Sequence, residues 1–308
     1  MRRSNRAGGI WLVLVAACAL PAAAQVRGEY SPGSTLSGAG TLPDPGWSYS
    51  NQLWYNTADR LYGPNGKALP DKDNFYALTD NNTFVFIPKA KLWGAKLELM
   101  VDLAISTSRF DSINPLNGGR VGVGATGISN TSFIPFDLGW SFPRMDLQAG
   151  LSVYANTGRY DPSAQDNLAS GYWTLGPQVG ATIYLDKGKS NQVSVYSYYA
   201  WNTRAARTNF TPGQNESLDY SLSHTFSFGK GEKWSLLAGP AGYGQWQTTA
   251  NGGPAGLNLR YAIDGIGFTV NLSTPYKGFY IGTSHLWEYA ARNTYEGRTS
   301  VITGGVNF

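Results

Sequence analysis

The chain has 308 residues, of which 14% are charged and 14% aromatic, with 38 glycines and one cysteine. Charge this sparse, against about 25% in ordinary soluble domains, argues against a soluble globular class. The absence beyond the N-terminus of an apolar run of ~18 residues excludes a spanning helix, and Cys18 as the only cysteine excludes disulfides and thiolate metal sites from all that follows it.

Arg2, Arg3 and Arg6 form a basic region, Ile10 to Leu20 a short apolar one, and Ala22-Ala23-Ala24 a small-residue cleavage site before Gln25. That is the pattern of a cleaved signal peptide over residues 1–24. Alternatives are an uncleaved anchor and a lipoprotein box, Val15-Ala16-Ala17-Cys18. The leader carries three arginines and no acid, so its removal leaves 21 basic against 20 acidic side chains. The basic balance belongs to the leader, and no nucleic-acid partner follows from it. Residues 25–46, rich in Gly, Pro and Ser, have no strand pattern. They are expected to lie in the periplasm or to fold into a lumen.

From Trp47 onward apolar and polar residues alternate with period two. In 96–107, Leu97, Leu99, Val101, Leu103 and Ile105 share one face, and Lys96, Glu98, Asp102 and Ser106 the other. Similar segments lie near 47–56, 83–92, 128–141, 145–155, 172–186, 191–202, 216–228, 234–247, 257–272, 278–290 and 297–308. Twelve strands of this length predict an all-β fold, a transmembrane antiparallel up-and-down β-barrel with its apolar face to lipid and both termini periplasmic. The connections support it, because short ones (93–95, 142–144, 187–190, 229–232, 273–277) alternate with long ones (57–82, 108–127, 156–171, 203–215, 248–256, 291–296). One segment breaks parity. Leu257, Leu259, Tyr261 and Ile263 give way to Ile266, Phe268, Val270 and Leu272, which predicts a bulge at Asp264-Gly265 or a strand end there. The last strand ends in Phe308, the terminal aromatic by which barrels engage the assembly machinery. Outer-membrane lipid and lipopolysaccharide are the implied surroundings.

Several blocks along the chain carry a family resemblance. They are Glu29-Tyr30-Ser31-Pro32-Gly33, Leu42-Pro43-Asp44-Pro45-Gly46-Trp47, Asn156-Thr157-Gly158-Arg159-Tyr160, Gly171-Tyr172-Trp173-Thr174, Thr211-Pro212-Gly213-Gln214 with Asp219-Tyr220, Gly242-Tyr243 with Gln245, and Glu288 with Ala291-Arg292-Asn293 and Gly297. In order and spacing the chain resembles the outer-membrane transporters of the meta-pathway of phenol degradation family. Asn156 stands where that family has proline. The resemblance implies a membrane barrel and uptake of small hydrophobic or aromatic compounds.

By parity Lys89, Lys91, Lys96, Glu98, Asp102, Asp137, Asp219, Arg260, Glu288 and Arg292 face the lumen. They are expected either to pair across a narrow interior or to form a polar constriction. Their mixed signs argue against a strongly ion-selective pore. Tyr196, Tyr198 and Tyr243 also face inward and are candidates for lining a path for aromatic solutes. Trp173, Trp201, Trp234, Trp246 and Trp287 are expected in interfacial girdles. Two other readings stay open: a plugged structural or surface-interaction barrel, and an outer-membrane lipid hydrolase. The latter needs a serine beside a histidine on the outer wall. His224 and His285 have no such neighbour on their own strands, though an adjacent strand could supply one. No cofactor or metal site is implied.

Overall fold

The computed structural model describes residues 27–308 apart from 71–72, 114–118, 165, 232, 254–258 and 277. The leader, Cys18 and the cleavage site lie outside the described residues. The strands are β1 (Gly46–Tyr62), β2 (Asn74–Ile87), β3 (Lys91–Leu92), β4 (Ala95–Ile113), β5 (Arg120–Ile128), β6 (Thr131–Ser141), β7 (Met145–Ala155), β8 (Thr174–Tyr184), β9 (Asn191–Asn202), β10 (Asn215–Phe228), β11 (Trp234–Gln247), β12 (Ala262–Ser273), β13 (Tyr280–Arg292) and β14 (Thr294–Asn307).

Twelve of them, all but β3 and β5, form a closed antiparallel barrel in which each pairs with its sequence neighbours and β14 returns to β1. Closure leaves no open ladder edge, which is the condition for crossing hydrocarbon with strands. At the seam Trp47 N–H donates to Phe308 O at 3.0 Å and Phe308 N–H to Trp47 O at 2.8 Å. The strand ending in Phe308 therefore closes the wall.

Burial is inverted relative to a soluble sheet. Leu99, Val101, Leu103 and Ile105 on β4 are exposed, as are Leu175, Val179 and Ile183 on β8 and Leu222 and Phe226 on β10. Thr174, Gln178, Thr182, Ser217 and Asp219 on the opposite faces are buried. An apolar exterior over a polar interior is the two-sided pattern of a lipid-facing barrel. The five tryptophans expected in girdles are all exposed.

Four features depart from the sequence reading. β2 ends at Ile87 because Pro88 has no N–H to continue the ladder; residues 88–94 make the turn, with β3 folding back on β4. The long connection 108–127 is largely a hairpin, in which the outer part of β4 pairs with β5 from Ile105↔Ile128 to Ile113↔Arg120. The expected long connection 291–296 is reduced to Asn293, whose φ of 49° is tolerated by asparagine. Around it β13 and β14 pair only as far as Trp287↔Arg298; beyond that, β13 follows β12 and β14 follows β1. Finally, β12 has neither a bulge nor an end at Asp264-Gly265. Its extra residue lies across the ladder on β13, where Ala262 and Asp264 face Arg292 and Tyr289 and Ala290 has a φ of 56°. Ile263 is buried inside rather than turned to lipid, for a reason found in the lumen.

Candidate functional site: a lumen divided by the N-terminal segment

Residues 27–45 run along the inner wall and touch eight successive strands, starting with β14, where Arg27 Nε donates to Thr294 Oγ1 at 3.2 Å. Arg27 pairs with Glu288 on β13 at 2.5 Å. Asn271 on β12 donates to Ser37 Oγ at 3.3 Å, and Gln245 on β11 to Tyr30 O at 3.1 Å. Asp219 on β10 accepts from Tyr30 Oη (2.6 Å), Gly33 N (2.9 Å) and Thr35 N (3.0 Å). Ala39 N donates to Ser194 Oγ on β9, Gly40 N to Thr182 Oγ1 on β8, and Thr41 Oγ1 to Asp146 on β7. Lys96, at the start of β4, clamps the exit by donating to Leu42 O, Pro43 O and Asp44 Oδ1.

Local sequence explains how an irregular chain lies this close to a sheet. Gly33 and Gly38 take φ of 89° and 67°, the left-handed turns that let the segment change direction. A Cβ on Gly180 of the wall would stand 1.8 Å from Ala39 O, and one on Gly40 would stand 2.1 Å from Asp146 O. Missing side chains on both partners permit the contact. Leu36 is buried against Ala241, Tyr243, Ile263, Leu286 and Ala291. An apolar patch on the segment thus draws Ile263 inward, which accounts for the parity break around residue 264. Tyr30 stacks on Tyr196 and Tyr198 at centroid distances of 5.6 and 4.8 Å, within the range of favourable aromatic pairs.

The expected site residues therefore separate into groups. Asp219, Glu288, Tyr196, Tyr198 and Tyr243 are inside and touch or brace the inserted segment. Tyr243 Oη donates to Glu288 at 2.6 Å, and Gly297 N–H bridges the gap between β13 and β14 to the same carboxylate at 2.7 Å. Asp137 is buried and accepts from Gln178 Nε2, whose Oε1 in turn accepts from Tyr196 Oη. Glu98 and Asp102 are inside but face open space. Four residues are not in the lumen. Lys89 and Lys91 are exposed in the turn after Pro88. Arg260 is exposed ahead of β12, with its carbonyl accepting from Asn293 Nδ2. Arg292 is exposed because the extra residue at Ala290 reverses parity after Glu288, so Ala291 turns inward in its place.

Two spaces remain beside the segment. A chamber of about 480 Å³ is bounded by Ser50, Gln52 and Asn56 of β1, Thr79, Asn81 and Thr83 of β2, Glu98, Asp102 and Ser106 of β4, Ser132 of β6, and the segment's Glu29, Tyr30 and Thr35. A pocket of about 320 Å³ is bounded by Trp54, Phe75, Tyr243, Tyr295, Tyr30 and Pro32, with Arg27, Glu288 and Arg298 at its edge. The two share Tyr30, Ser31, Trp54 and Asn56. A list of inward charges misses most of this lining. The available signal was period-two spacing of uncharged polar residues, as in Ser50-x-Gln52 with Asn56, and Thr79-x-Asn81-x-Thr83. The segment's contributions gave no periodic signal.

The outer wall carries two histidine contacts. His285 Nδ1 lies 2.7 Å from Ser300 Oγ on the neighbouring strand, and His224 Nδ1 lies 2.8 Å from Asn191 Oδ1. An adjacent strand thus places a serine beside His285. Aromatic rings flank that imidazole, Trp287 at 4.4 Å and Phe268 at 6.3 Å between centroids.

Among solved structures, the chain is similar to an outer membrane channel from Pseudomonas putida F1, at 15% identity over 91% of this chain and 100% of that one, with a TM-score of 0.72. It is also similar to the beta domain of the Bordetella autotransporter Brka, at 11% identity over 86% and 100% of the two chains, with a TM-score of 0.53. At such identities the likeness is one of fold. No curated protein matches the sequence. The family model described as "Putative MetA-pathway of phenol degradation" matches residues 58–303, most of the barrel, and the chain belongs to that family.

Proposed function

We propose that the protein is an outer-membrane channel for passive uptake of small hydrophobic or aromatic compounds, without covalent chemistry. The observation that carries this reading is the aromatic pocket continuous with the polar chamber. Together they leave space beside the inserted segment, with room for a one- or two-ring solute. The name of the Pseudomonas putida relative, an outer membrane channel, supports it. In this reading residues 1–24 are a cleaved leader, residues 25–46 supply the lumen segment, and the barrel starts at residue 47. Both termini are periplasmic, and the strand ending in Phe308 engages the assembly machinery in a membrane of phospholipid and lipopolysaccharide.

The test is uptake of a panel of aromatic hydrocarbons and phenols at limiting concentration by a deletion strain. Slower uptake, restored by the intact gene, is the expected result; unchanged uptake across the panel overturns the reading. The contact between His285 and Ser300 keeps a lipid hydrolase as the second reading. Hydrolysis of phospholipid by the purified protein that is lost in Ser300→Ala would favour it, and uptake unaffected by that substitution would favour the channel.

A further inference from the structure

The chamber's chemistry is one-sided. Glu98, Asp102 and Glu29 border it, and among the described residues no lysine, arginine or histidine does. Under the segment, Asp219 is covered by three donors from it and Glu288 by Arg27, Tyr243 and Gly297. The chamber's acids have fewer partners. Asp102 accepts a hydrogen bond from Thr83 Oγ1 at 2.7 Å, and Glu29 accepts from Asn130 Nδ2 at 3.1 Å and from the Ser170 hydroxyl. Glu98, only 8% exposed, has no hydrogen-bond or ion-pair partner among the described residues and borders the cavity.

The three carboxylates are spread along the barrel rather than gathered. Glu98 and Asp102 share one face of β4 four residues apart, about 13 Å at the rise of an extended strand. Asn130, which holds Glu29, follows Ser129, whose Oγ donates to Ser106 Oγ a further four residues along β4. Among the described residues no three acids or histidines come together as a metal site. Carboxylates so spaced can each meet one ammonium group in turn, and a cation there offsets the cost of a buried acid without a partner. The neighbouring pocket, with Trp54, Phe75 and Tyr295, fits an aromatic body and adds cation–π attraction.

We propose that the solutes carried are arylalkylamines in their ammonium form. The ring occupies the pocket of Trp54, Phe75, Tyr243 and Tyr295, and the ammonium passes along Glu29, Asp102 and Glu98. The inference rests on the uptake reading and narrows it to a substrate class.

The experiment measures equilibrium binding of phenethylammonium, 2-phenylethanol and phenylacetate to the full-length folded protein in detergent at neutral pH. It is repeated on the Glu98→Gln/Asp102→Asn variant. The cation is expected to bind about tenfold tighter than the alcohol, the scale of one charge-assisted hydrogen bond, with phenylacetate weakest, and the variant is expected to lose that preference. Equal binding of cation and alcohol, or a preference unchanged in the variant, overturns the inference and leaves the uptake reading standing. Binding of none of the three overturns both. Heat-modifiable migration in gels reports whether the variant barrel closes. Asp102→Asn alone, which keeps Thr83 a hydrogen-bonding partner, carries the test if the double variant does not.

Discussion

The two halves of the lumen have the same kind of wall and opposite fates. Strands β7 to β13 present Asp146, Asp219, Glu288, Thr182 and Ser194 to the N-terminal segment, which hydrogen-bonds to each and occupies much of the space. Strands β1, β2, β4 and β6 present an equally polar face to a chamber instead, which β7 to β9 border only through Gln148, Ser152, Tyr154, Gln178 and Tyr196. Strand alternation makes an inner face polar. Whether a given acid there is structural or available to a solute depends on whether the chain's own terminus lies over it. A buried carboxylate that accepts three hydrogen bonds is a fastening, whereas one that borders a cavity with no partner is free for a ligand.

Removing the segment is the largest perturbation of that contrast. Deleting residues 28–44 exposes the β7–β13 face, and single-channel conductance in planar bilayers is expected to rise several-fold. Conductance equal to that of the intact protein would show that the covered half is not what narrows the lumen. Next in size is Asp219→Ala, which leaves the Tyr30 hydroxyl and two backbone N–H groups without their acceptor at a cost of about 1–3 kcal/mol per buried group. The segment should become accessible to protease while the barrel still migrates as a closed species. Gly180→Ala acts on the same contact sterically, since its Cβ would meet Ala39 O. A smaller rise in accessibility is expected, with thiol labelling of Ser37→Cys as the measure. On the open side Thr83→Val removes only its bond to Asp102. It should change stability by no more than about 1 kcal/mol and leave protease accessibility of the segment as it is. A release of the segment as large as that from Asp219→Ala would break the division between the halves.

The smallest effect concerns neither half but the turn between β8 and β9. Backbone N–H groups of Asn191 and Ser190 donate to Asp186 and hold its carboxyl below the usual range. A lowered folded-state pKa contributes stability above the unfolded value of about 3.9, and that contribution is lost as pH falls through the depressed value. Asp186→Asn should flatten this acid dependence slightly in a thermal melt. An unchanged acid limb would show that the turn does not depend on the charge.

Much of the wall was legible because period-two alternation is a local property. The faces of β4, β8 and β10, the short turns at 142–144 and 187–190, and the seam strand ending in Phe308 all follow from neighbours two apart along the chain. Errors arose where a single residue changed the count. Pro88 stopped β2 and moved Lys89 and Lys91 to the turn. The extra residue at Ala290 reversed parity and sent Arg292 outward, and Leu36 drew Ile263 inside against the rule that apolar residues face lipid. Mixed charge signs argued against a strongly ion-selective pore; the structure pairs Arg27 with Glu288, holds Lys96 at the segment's exit and places Arg298 at the edge of the aromatic pocket.

The sequence by itself determined the class of the fold, the number of wall strands, the closing strand and which residues of most strands point inward. Each is set by composition or by short-range periodicity. Only the tertiary structure decided where residues 27–45 lie, which inward acids they cover, and which space they leave. Those contacts join residues from about 50 to more than 250 positions apart, between an aperiodic segment and a wall built after it. No local pattern encodes such a pairing; it depends on complementary glycines, hydrogen bonds and one buried leucine meeting when the barrel closes.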